Sequence, residues 1–249
     1  MPVGSAMARE ASAMDELLEN TALVDYDHPS IRDLVAGRGW VALDEEAKIR
    51  NAYDFVRDEI PFGYNKDDAI PASRVLADGY GQCNTKGILL MALLRAVGVR
   101  CRFHGFTIDK RLQKGALSGI WYLLAPREIV HSWVEVSISG RWINIEGFIL
   151  DMPYLRSVQR KFPEARGSFC GFGIATDCFE SPMVEWTGGD TYIQKEGIVR
   201  DFGVFDTPDA FFKEHAQNLS FLKKLVYKSI TRHAMNARVF RIRSGMATK

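Results

Sequence analysis

The feature that most constrains this fold is a glycine-rich turn that leads directly into an almost entirely apolar segment. Residues 78–87 are Asp-Gly-Tyr-Gly-Gln-Cys-Asn-Thr-Lys-Gly, and residues 88–97 are Ile-Leu-Leu-Met-Ala-Leu-Leu-Arg-Ala-Val. A segment that is apolar on nearly every face predicts a helix buried on all sides, and Gly98 suits its C-terminal end. Cys83 then lies in the first helical turn, where free N–H groups and the helix dipole favour a thiolate with a lowered pKa.

A second pattern predicts a β-hairpin downstream of this helix. Residues 129–138 and 141–148 alternate in polarity, and Ser139-Gly140 suits a two-residue turn. In that register one strand face is mainly aliphatic. The opposite face carries His131, Trp133, Glu135, Trp142, Asn144 and Glu146. Two tryptophans are seldom left fully in water, so we expect another part of the chain to cover this face.

This register makes Glu146 the diagonal neighbour of His131, at a distance that long side chains can bridge. A carboxylate that binds one imidazole nitrogen leaves the other free for acid–base work. The free nitrogen could take the proton of Cys83 and so activate the nucleophile. Asn144, on the same face, is the competing orienter. His104 lies in the predicted strand 99–108, where a lone histidine is more often structural.

Helix and turn signals divide the chain into three parts. We expect an N-terminal arm with a short helix over residues 1–43, a core over 44–151 and an extension over 152–249. Asp44 can cap a helix that ends before Pro61, and Pro153 begins another. Residues 165–204 lack strong periodicity and could cover a site. Asp206-Thr207-Pro208 begins a helical region predicted to reach Asn236. From Phe221 onward the chain carries basic residues, the first of them Lys223, and no acidic residue.

Composition excludes several classes of protein. The chain has 249 residues and a net charge of +1, so it is not built as a whole for nucleic acid or a membrane surface. No apolar run has the ~18 residues of a membrane span, and residues 1–20 do not resemble a signal peptide. We therefore expect a cytoplasmic protein with reduced thiols, although a Cys170–Cys178 disulfide is an alternative. The cysteine and histidine spacings do not suit zinc, and we expect no metal or cofactor.

Three motifs resemble the transglutaminase-like superfamily, within the papain-like cysteine hydrolase fold. Tyr80-Gly-Gln-Cys83 is similar to the family's nucleophile motif. His131-Ser-Trp-Val-Glu-Val136, followed by Gly140-Arg-Trp142, is similar to its histidine motif, and Asp58–Tyr64 resembles the bacterial members. The resemblance implies an α+β fold in which the nucleophile begins a buried helix packed on an antiparallel sheet, here with a C-terminal helical extension. The family usually has Asp where this chain has Glu146, and the motif position favours Glu146 over Asn144 as the orienter.

The backbone N–H of Cys83 is the natural first oxyanion donor. The resemblance suggests Gln82 as a second donor, and Tyr64 is another candidate. Trp133, Trp142 and Tyr80 are candidates for substrate binding. A set of aromatic residues could line an acyl channel: Trp121, Phe169, Phe172 and Trp186.

The expected function is cysteine-dependent acyl transfer on an amide through a thioester on Cys83. The enzyme would be an amidohydrolase or peptidase if water accepts the acyl group, and a transamidase if an amine does. Its substrate would be a peptide, a protein or a small amide. The alternative is an inactive transglutaminase-like binding module, suggested by Glu146 and by Asn84-Thr85-Lys86. Nucleic-acid binding by the basic C-terminal stretch is the weaker interpretation, and homo-oligomerisation stays open.

Overall fold

The computed structural model describes residues 16–117, 119, 122–123, 125–215, 227 and 231–246. The α-helices are α1 (Pro29–Gly37), α2 (Glu45–Asp54), α3 (Ala72–Asp78), α4 (Cys83–Ala96), α5 (Met152–Lys161), α6 (Pro208–Glu214) and α7 (Arg232–Arg243). The strands are β1 (Cys101–Asp109), β2 (Glu128–Ile138), β3 (Arg141–Ile145), β4 (Phe169–Gly171), β5 (Ile174–Thr176) and β6 (Ile198–Phe205). The short strands β4 and β5 escaped prediction because three residues are too few to show a period.

An antiparallel sheet with the order β3-β2-β1-β6 supports helix α4, and β4 pairs with β5 in a separate small sheet. The predicted all-round burial of the helix is confirmed, because every residue from Asn84 to Arg95 is buried. At Gly87, a Cβ would lie 3.7–3.8 Å from side chains of Phe103, Val134 and Phe148, so the helix packs closely on the sheet. The predicted α+β class, with the cysteine at the start of a buried helix, is confirmed.

The hairpin forms in the predicted register. Ser139 and Gly140 both have positive φ, 49° and 75°, which is the backbone of a type I′ turn. Val136 pairs with Ile143, so the two faces are divided as the alternation predicts. The ladder is shorter than expected, since its last pair is Val134 with Ile145. Beyond that pair, the backbone N–H of Glu146 donates to a residue far downstream in sequence, as described below.

The regions on either side of the core pack against it. Asp44 caps α2 by accepting from the N–H of Ala47 at 2.8 Å, as predicted, but the helix becomes a π-helical turn over Phe55–Glu59 before Pro61. Leu23 in the predicted arm accepts a backbone bond from Ala72. The domain boundaries stay a prediction.

The predicted long helix after Pro208 is only partly present in the described chain. Helix α6 ends at Glu214, because His215 has non-helical angles of φ −125° and ψ 83°. Residues 216–226 and 228–230 lie outside the described residues. Helix α7 extends beyond the predicted end, to Arg243, and is attached to α5 by a 2.5 Å hydrogen bond from Ser157 Oγ to the carbonyl of Ile242.

The four cysteines are free thiols, including Cys170 and Cys178, so the alternative of a disulfide between them is wrong for this structure. Among the described helices, none has the length and apolar character to cross a membrane. The described residues also contain no group of three or more His, Cys, Asp or Glu side chains that could hold a metal ion.

Candidate active site

Cys83 is the first residue of α4, and its preceding residues shape the helix start. Gln82 is the N-cap: its side chain accepts from the backbone of Thr85, and its own N–H donates to Thr85 Oγ at 3.0 Å. This reciprocal pair is a capping box. The thiol of Cys83 is therefore held at a helix N-terminus whose geometry is set by its neighbours in sequence.

The start of α4 is joined to β2 on both sides of His131. Asn84 Nδ2 donates to the carbonyl of Val130 at 3.1 Å, and Ser132 Oγ donates to Asn84 Oδ1 at 2.9 Å. The backbone of Ser132 also hydrogen-bonds to the Cys83 thiol. This contact is possible because the β2–β3 ladder has ended at Val134, which leaves the next part of β2 unpaired on that edge.

His131 is fully buried and bonded through one nitrogen. Its Nε2 lies 3.1 Å from Glu146 Oε1, and because an ionised carboxylate can only accept, Nε2 carries the proton in this bond. Its Nδ1 is buried and has no hydrogen-bond partner among the described residues. The phenyl ring of Phe106 packs against the imidazole of His131 in a T-shaped arrangement, with ring centroids 4.8 Å apart. The histidine thus keeps one nitrogen available in a dry environment.

The second carboxylate oxygen of Glu146 is held by the segment that follows β5. Oε2 accepts the backbone N–H groups of Ile193 and Gln194, each at 2.9 Å. The N–H of Glu146 donates to the carbonyl of Thr191 at 3.0 Å. Three donors therefore surround a fully buried carboxylate, and such charge-assisted bonds are what a buried charge needs.

The expected lowered pKa of Cys83 is wrong for this structure. Burial raises the pKa of the Cys83 thiol well above its ordinary value, and the nearby carboxylate of Asp68 raises it further. Hydrogen bonds from the backbone of Asn84 and Ser132 oppose the shift without cancelling it. The helix dipole is therefore outweighed by desolvation and by negative charge. The thiol is protonated in the resting site.

The two suggested second oxyanion donors are already engaged. Gln82 Nε2 donates to Asp68 at 2.9 Å, and its Oε1 accepts the N–H of Asn65 at 2.7 Å. The hydroxyl of Tyr64 donates to Gln113 Oε1 at 2.6 Å. Both side chains hold the structure around Cys83. The backbone N–H of Cys83 stays the natural donor to an oxyanion, because the first N–H groups of a helix lack intrahelical partners.

The remaining predicted residues divide into near and distant groups. Asn144 donates to the hydroxyl of Tyr192 at 3.0 Å, away from His131. Trp133 is buried against Tyr192, with centroids 5.7 Å apart, so the face is covered at Trp133, whereas Trp142 is exposed. Trp142 pairs with Ser137, six positions from His131, and lies under Arg102 at 3.9 Å. At about 3.3 Å per residue it is roughly 20 Å away, so the structure does not bring it to the site.

Tyr80 lies next to the nucleophile loop, and its hydroxyl accepts from Arg232 at 3.1 Å. The proposed acyl channel is not assembled around Cys83. Phe169 stacks on Phe179 with centroids 4.0 Å apart, and Phe172 packs on Phe162. These rings form the core of the extension, and Trp121 lies outside the described residues.

Sequence reasoning missed two residues that shape the site. Asn84 was grouped with features that argued against catalysis, yet it joins the helix to the histidine strand. Asp68 is absent from the candidates that the sequence suggests. A signal for Asn84 was present, since a polar side chain in the first turn of a wholly apolar helix requires a buried partner. No sequence signal shows that the loop of Asp68 folds over the thiol.

Comparison with models of known protein families finds a match to part of the chain. The sequence profile of the transglutaminase-like superfamily matches residues 34–147. This match covers somewhat less than half of the chain. Cys83, His131 and Glu146 all lie inside that match, whereas the C-terminal extension lies outside it.

Among solved structures, one described as a "putative cysteine protease" from Cytophaga hutchinsonii is similar, with 16% identity and a TM-score of 0.40. The match covers 53% of this chain and 40% of that one, so the chain spans well under half of that protein. This likeness is too small to carry an argument. No curated protein matches the chain. The transglutaminase-like match supports a cysteine-dependent hydrolase or transferase in general.

Proposed function

We propose that this protein transfers acyl groups from amides through Cys83, with His131 as general acid and base and Glu146 as the group that orients His131. One observation carries the proposal. His131 is fully buried, its Nε2 is fixed by Glu146 at 3.1 Å, and its Nδ1 is unbonded among the described residues. A structural histidine in a core normally has both nitrogens satisfied, so the free nitrogen beside the Cys83 helix favours proton transfer.

The first half-reaction follows from the protonation states. Because the thiol of Cys83 is protonated at rest, His131 Nδ1 takes its proton as sulfur attacks the amide carbonyl. The carbonyl oxygen becomes an oxyanion near the N–H of Cys83, where the helix N-terminus stabilises negative charge. His131 then gives the proton to the departing nitrogen, the C–N bond breaks, and a thioester remains on Cys83. Glu146 stabilises the imidazolium in between.

The second half-reaction regenerates the thiol. Water or an amine attacks the thioester carbonyl, His131 Nδ1 takes the attacking group's proton, and the C–S bond breaks to release sulfur, which recovers the proton. Water as acceptor gives an amidohydrolase or peptidase, and an amine gives a transamidase. The substrate is a peptide, a protein or a small amide in either case.

A generic acyl donor tests the proposal without knowledge of the substrate. Incubation with p-nitrophenyl acetate should acetylate Cys83, detected by peptide mass mapping, and hydroxylamine should accept the acetyl group if amines are productive. We expect His131→Ala to slow acetylation of Cys83 by about 10²–10⁴-fold, the usual contribution of general acid–base catalysis. Acetylation of the exposed thiol of Cys170 in the same sample is the internal control and should not change.

The inactive binding module makes the opposite prediction. If His131→Ala and the unmodified protein acetylate Cys83 at equal rates while both remain folded, the acid–base role is wrong. The transglutaminase-like core would then be a scaffold for a partner.

A further inference from the structure

The segment Phe62–Asn65 lies directly beside the nucleophile loop. Gly81 donates to the carbonyl of Pro61 at 3.1 Å, and Gly63 donates to the carbonyl of Gly81 at 2.9 Å, in a parallel bridge. The side chain of Asn65 donates to the carbonyl of Tyr80 at 3.0 Å and accepts from the hydroxyl of Thr85 at 2.6 Å. The position of the loop that ends at Cys83 therefore depends on this segment.

Four other backbone groups of that segment are bonded by residues of the C-terminal extension. Asn236 accepts the N–H of Tyr64 at 2.7 Å and donates to the carbonyl of Tyr64 at 3.1 Å, as a neighbouring strand would. Arg243 donates to the carbonyl of Phe62 at 2.6 Å, and Tyr227 donates to the carbonyl of Asn65 at 3.2 Å. The extension thus takes the place of a further strand along Phe62–Asn65.

The packing here leaves no space for additional atoms. A Cβ at Gly63 would lie 3.0 Å from the ring of Tyr80 and 3.3 Å from Asn236 Oδ1. A Cβ at Gly81 would lie 2.8 Å from the side chains of Thr85 and Lys86. Because helix α7, the segment and the nucleophile loop are in such close contact, a shift of α7 must be transmitted to the loop.

The end of α7 is fixed by an ion pair with the core. Arg243 Nη2 lies 2.7 Å from Asp151 Oδ2, and Asp151 also accepts the N–H of Phe62 at 2.8 Å. Burial opposes ionisation of Asp151, but its bonds to Arg243 outweigh that effect and lower its pKa. Further along the helix, Arg238 donates to the carbonyl of Gly115 at 2.7 Å. Several of the basic residues in this helix are thus bonded to the core.

We infer that helix α7 is part of the catalytic machinery, and that Asn236 is a positioning residue that sets the place of Cys83 relative to His131 through the backbone of Tyr64. This inference rests on the proposed function. It assigns a role in the reaction to a segment that lies outside the matched transglutaminase-like core. Asn236 contacts neither the thiol nor the imidazole and acts only through the segment that supports the nucleophile loop.

A double-mutant cycle tests this positioning role with p-nitrophenyl acetate as the probe and acetylation of Cys83 as the readout. In the unmodified background, Asn236→Ala should lower the acetylation rate by about tenfold or more, since misplacement of about 1 Å can cost up to 10²-fold. In the His131→Ala background, Asn236→Ala should have almost no effect, because no histidine-dependent rate remains to be lost. Equal effects of Asn236→Ala in the two backgrounds would overturn the inference.

Two further variants separate positioning from simple loss of stability. Ser157→Ala removes another attachment of α7, to the carbonyl of Ile242, without touching Tyr64, and should leave acetylation close to normal. Asn236→Asp keeps an acceptor for the N–H of Tyr64 and loses the donor to its carbonyl, so it tests the role if Asn236→Ala does not fold. If Ser157→Ala slows acetylation as much as either Asn236 variant, the helix matters only for stability.

The outcome for His131→Ala alone decides which claim fails. If that variant reacts as fast as the unmodified protein, the proposed function fails, whatever Asn236 does. If it reacts slowly but shows no coupling to Asn236, only the positioning role fails.

Discussion

Two histidine–glutamate pairs lie on the same face of the central sheet, and their surroundings differ. His104 is bonded at both nitrogens, to Glu135 at 2.7 Å and to Asp201 at 2.8 Å. His131 is bonded at Nε2 alone, to Glu146. Two carboxylate partners favour the protonated form of a histidine and suit a structural link, whereas a histidine with a free nitrogen can exchange a proton. The difference lies in the number of partners, which residue type alone does not reveal.

Carboxylates raise a pKa at both places, but they act on a histidine at one and on a thiol at the other. Burial lowers the pKa of His104, yet hydrogen bonds to Glu135 and Asp201 outweigh burial and raise it. At the other pair, burial and the charge of Asp68 raise the pKa of the Cys83 thiol. Negative charge therefore favours the protonated form of both His104 and the Cys83 thiol. The two places differ in that His131 Nδ1 has no hydrogen-bond partner among the described residues, whereas both nitrogens of His104 are bonded.

The largest expected effect comes from Glu146→Gln, which is compared with the same substitution at Glu135. In Glu146→Gln, the amide oxygen can still accept from Ile193 and Gln194, so the NH₂ group faces His131 Nε2. That nitrogen must then accept, which puts the proton on Nδ1 and removes the base. We expect acetylation of Cys83 to fall by about 10²–10⁴-fold, as expected for a wrong histidine tautomer.

The matched variant Glu135→Gln changes the other pair. It weakens bonds to His104 and Arg102, so we expect a loss of about 1–3 kcal/mol in the free energy of unfolding and a normal acetylation rate. Comparable losses of rate in the two variants would contradict the distinction between the pairs. Asn144→Ala, which removes the competing orienter, should also leave the rate unchanged.

A smaller effect is expected from the charge beside the thiol. In Asp68→Asn, the oxygen can still accept from Gln82, but the negative charge is lost. Since Asp68 raises the pKa of Cys83, the variant should have a lower thiol pKa, and the pH profile of iodoacetamide alkylation at Cys83 should move to lower pH. The neighbouring exposed Asp67→Asn is the control. A profile that is unchanged, or moved to higher pH, would show that Asp68 does not act on the thiol.

The elements that could be predicted from sequence are those set by local chemistry. The hairpin register follows from Ser139-Gly140, because these two residues suit a two-residue turn, and both have the positive φ angles of a type I′ turn. The buried helix follows from its apolar run. Together they were sufficient to predict that Glu146 is the diagonal neighbour of His131, although the β2–β3 ladder stops before reaching either residue.

The features that could not be predicted depend on contacts between distant parts of the chain. The carboxylate of Glu146 is held by Ile193 and Gln194, 47 and 48 residues away. The pKa of Cys83 depends on how the loop of Asp68 folds. In the basic C-terminal stretch, Arg243 reaches Asp151 across 92 residues. No local pattern carries that information.

The smallest expected effect is a pH-dependent stability at the structural pair. The raised pKa of His104 means that its contribution is fully present below the unfolded value of about 6.5 and is lost as pH rises through the folded value. Glu135 and Asp201 have lowered pKa values, since their bonds to His104 and to other donors outweigh burial. Their contributions are present above their unfolded values and are lost as pH falls through the folded ones.

His104, Glu135 and Asp201 should therefore stabilise the fold most at a pH above the unfolded pKa values of the two acids and below that of the histidine, where all three groups are charged. Urea unfolding of His104→Gln should show a deficit of about 1–2 kcal/mol near pH 6 that shrinks as pH rises through the folded pKa of His104, because the unmodified protein then loses the charge as well. Acetylation of Cys83 should be normal in this variant. A deficit that grows with pH would mean that His104 is neutral in the fold, and the contrast with His131 would then have to rest on burial alone.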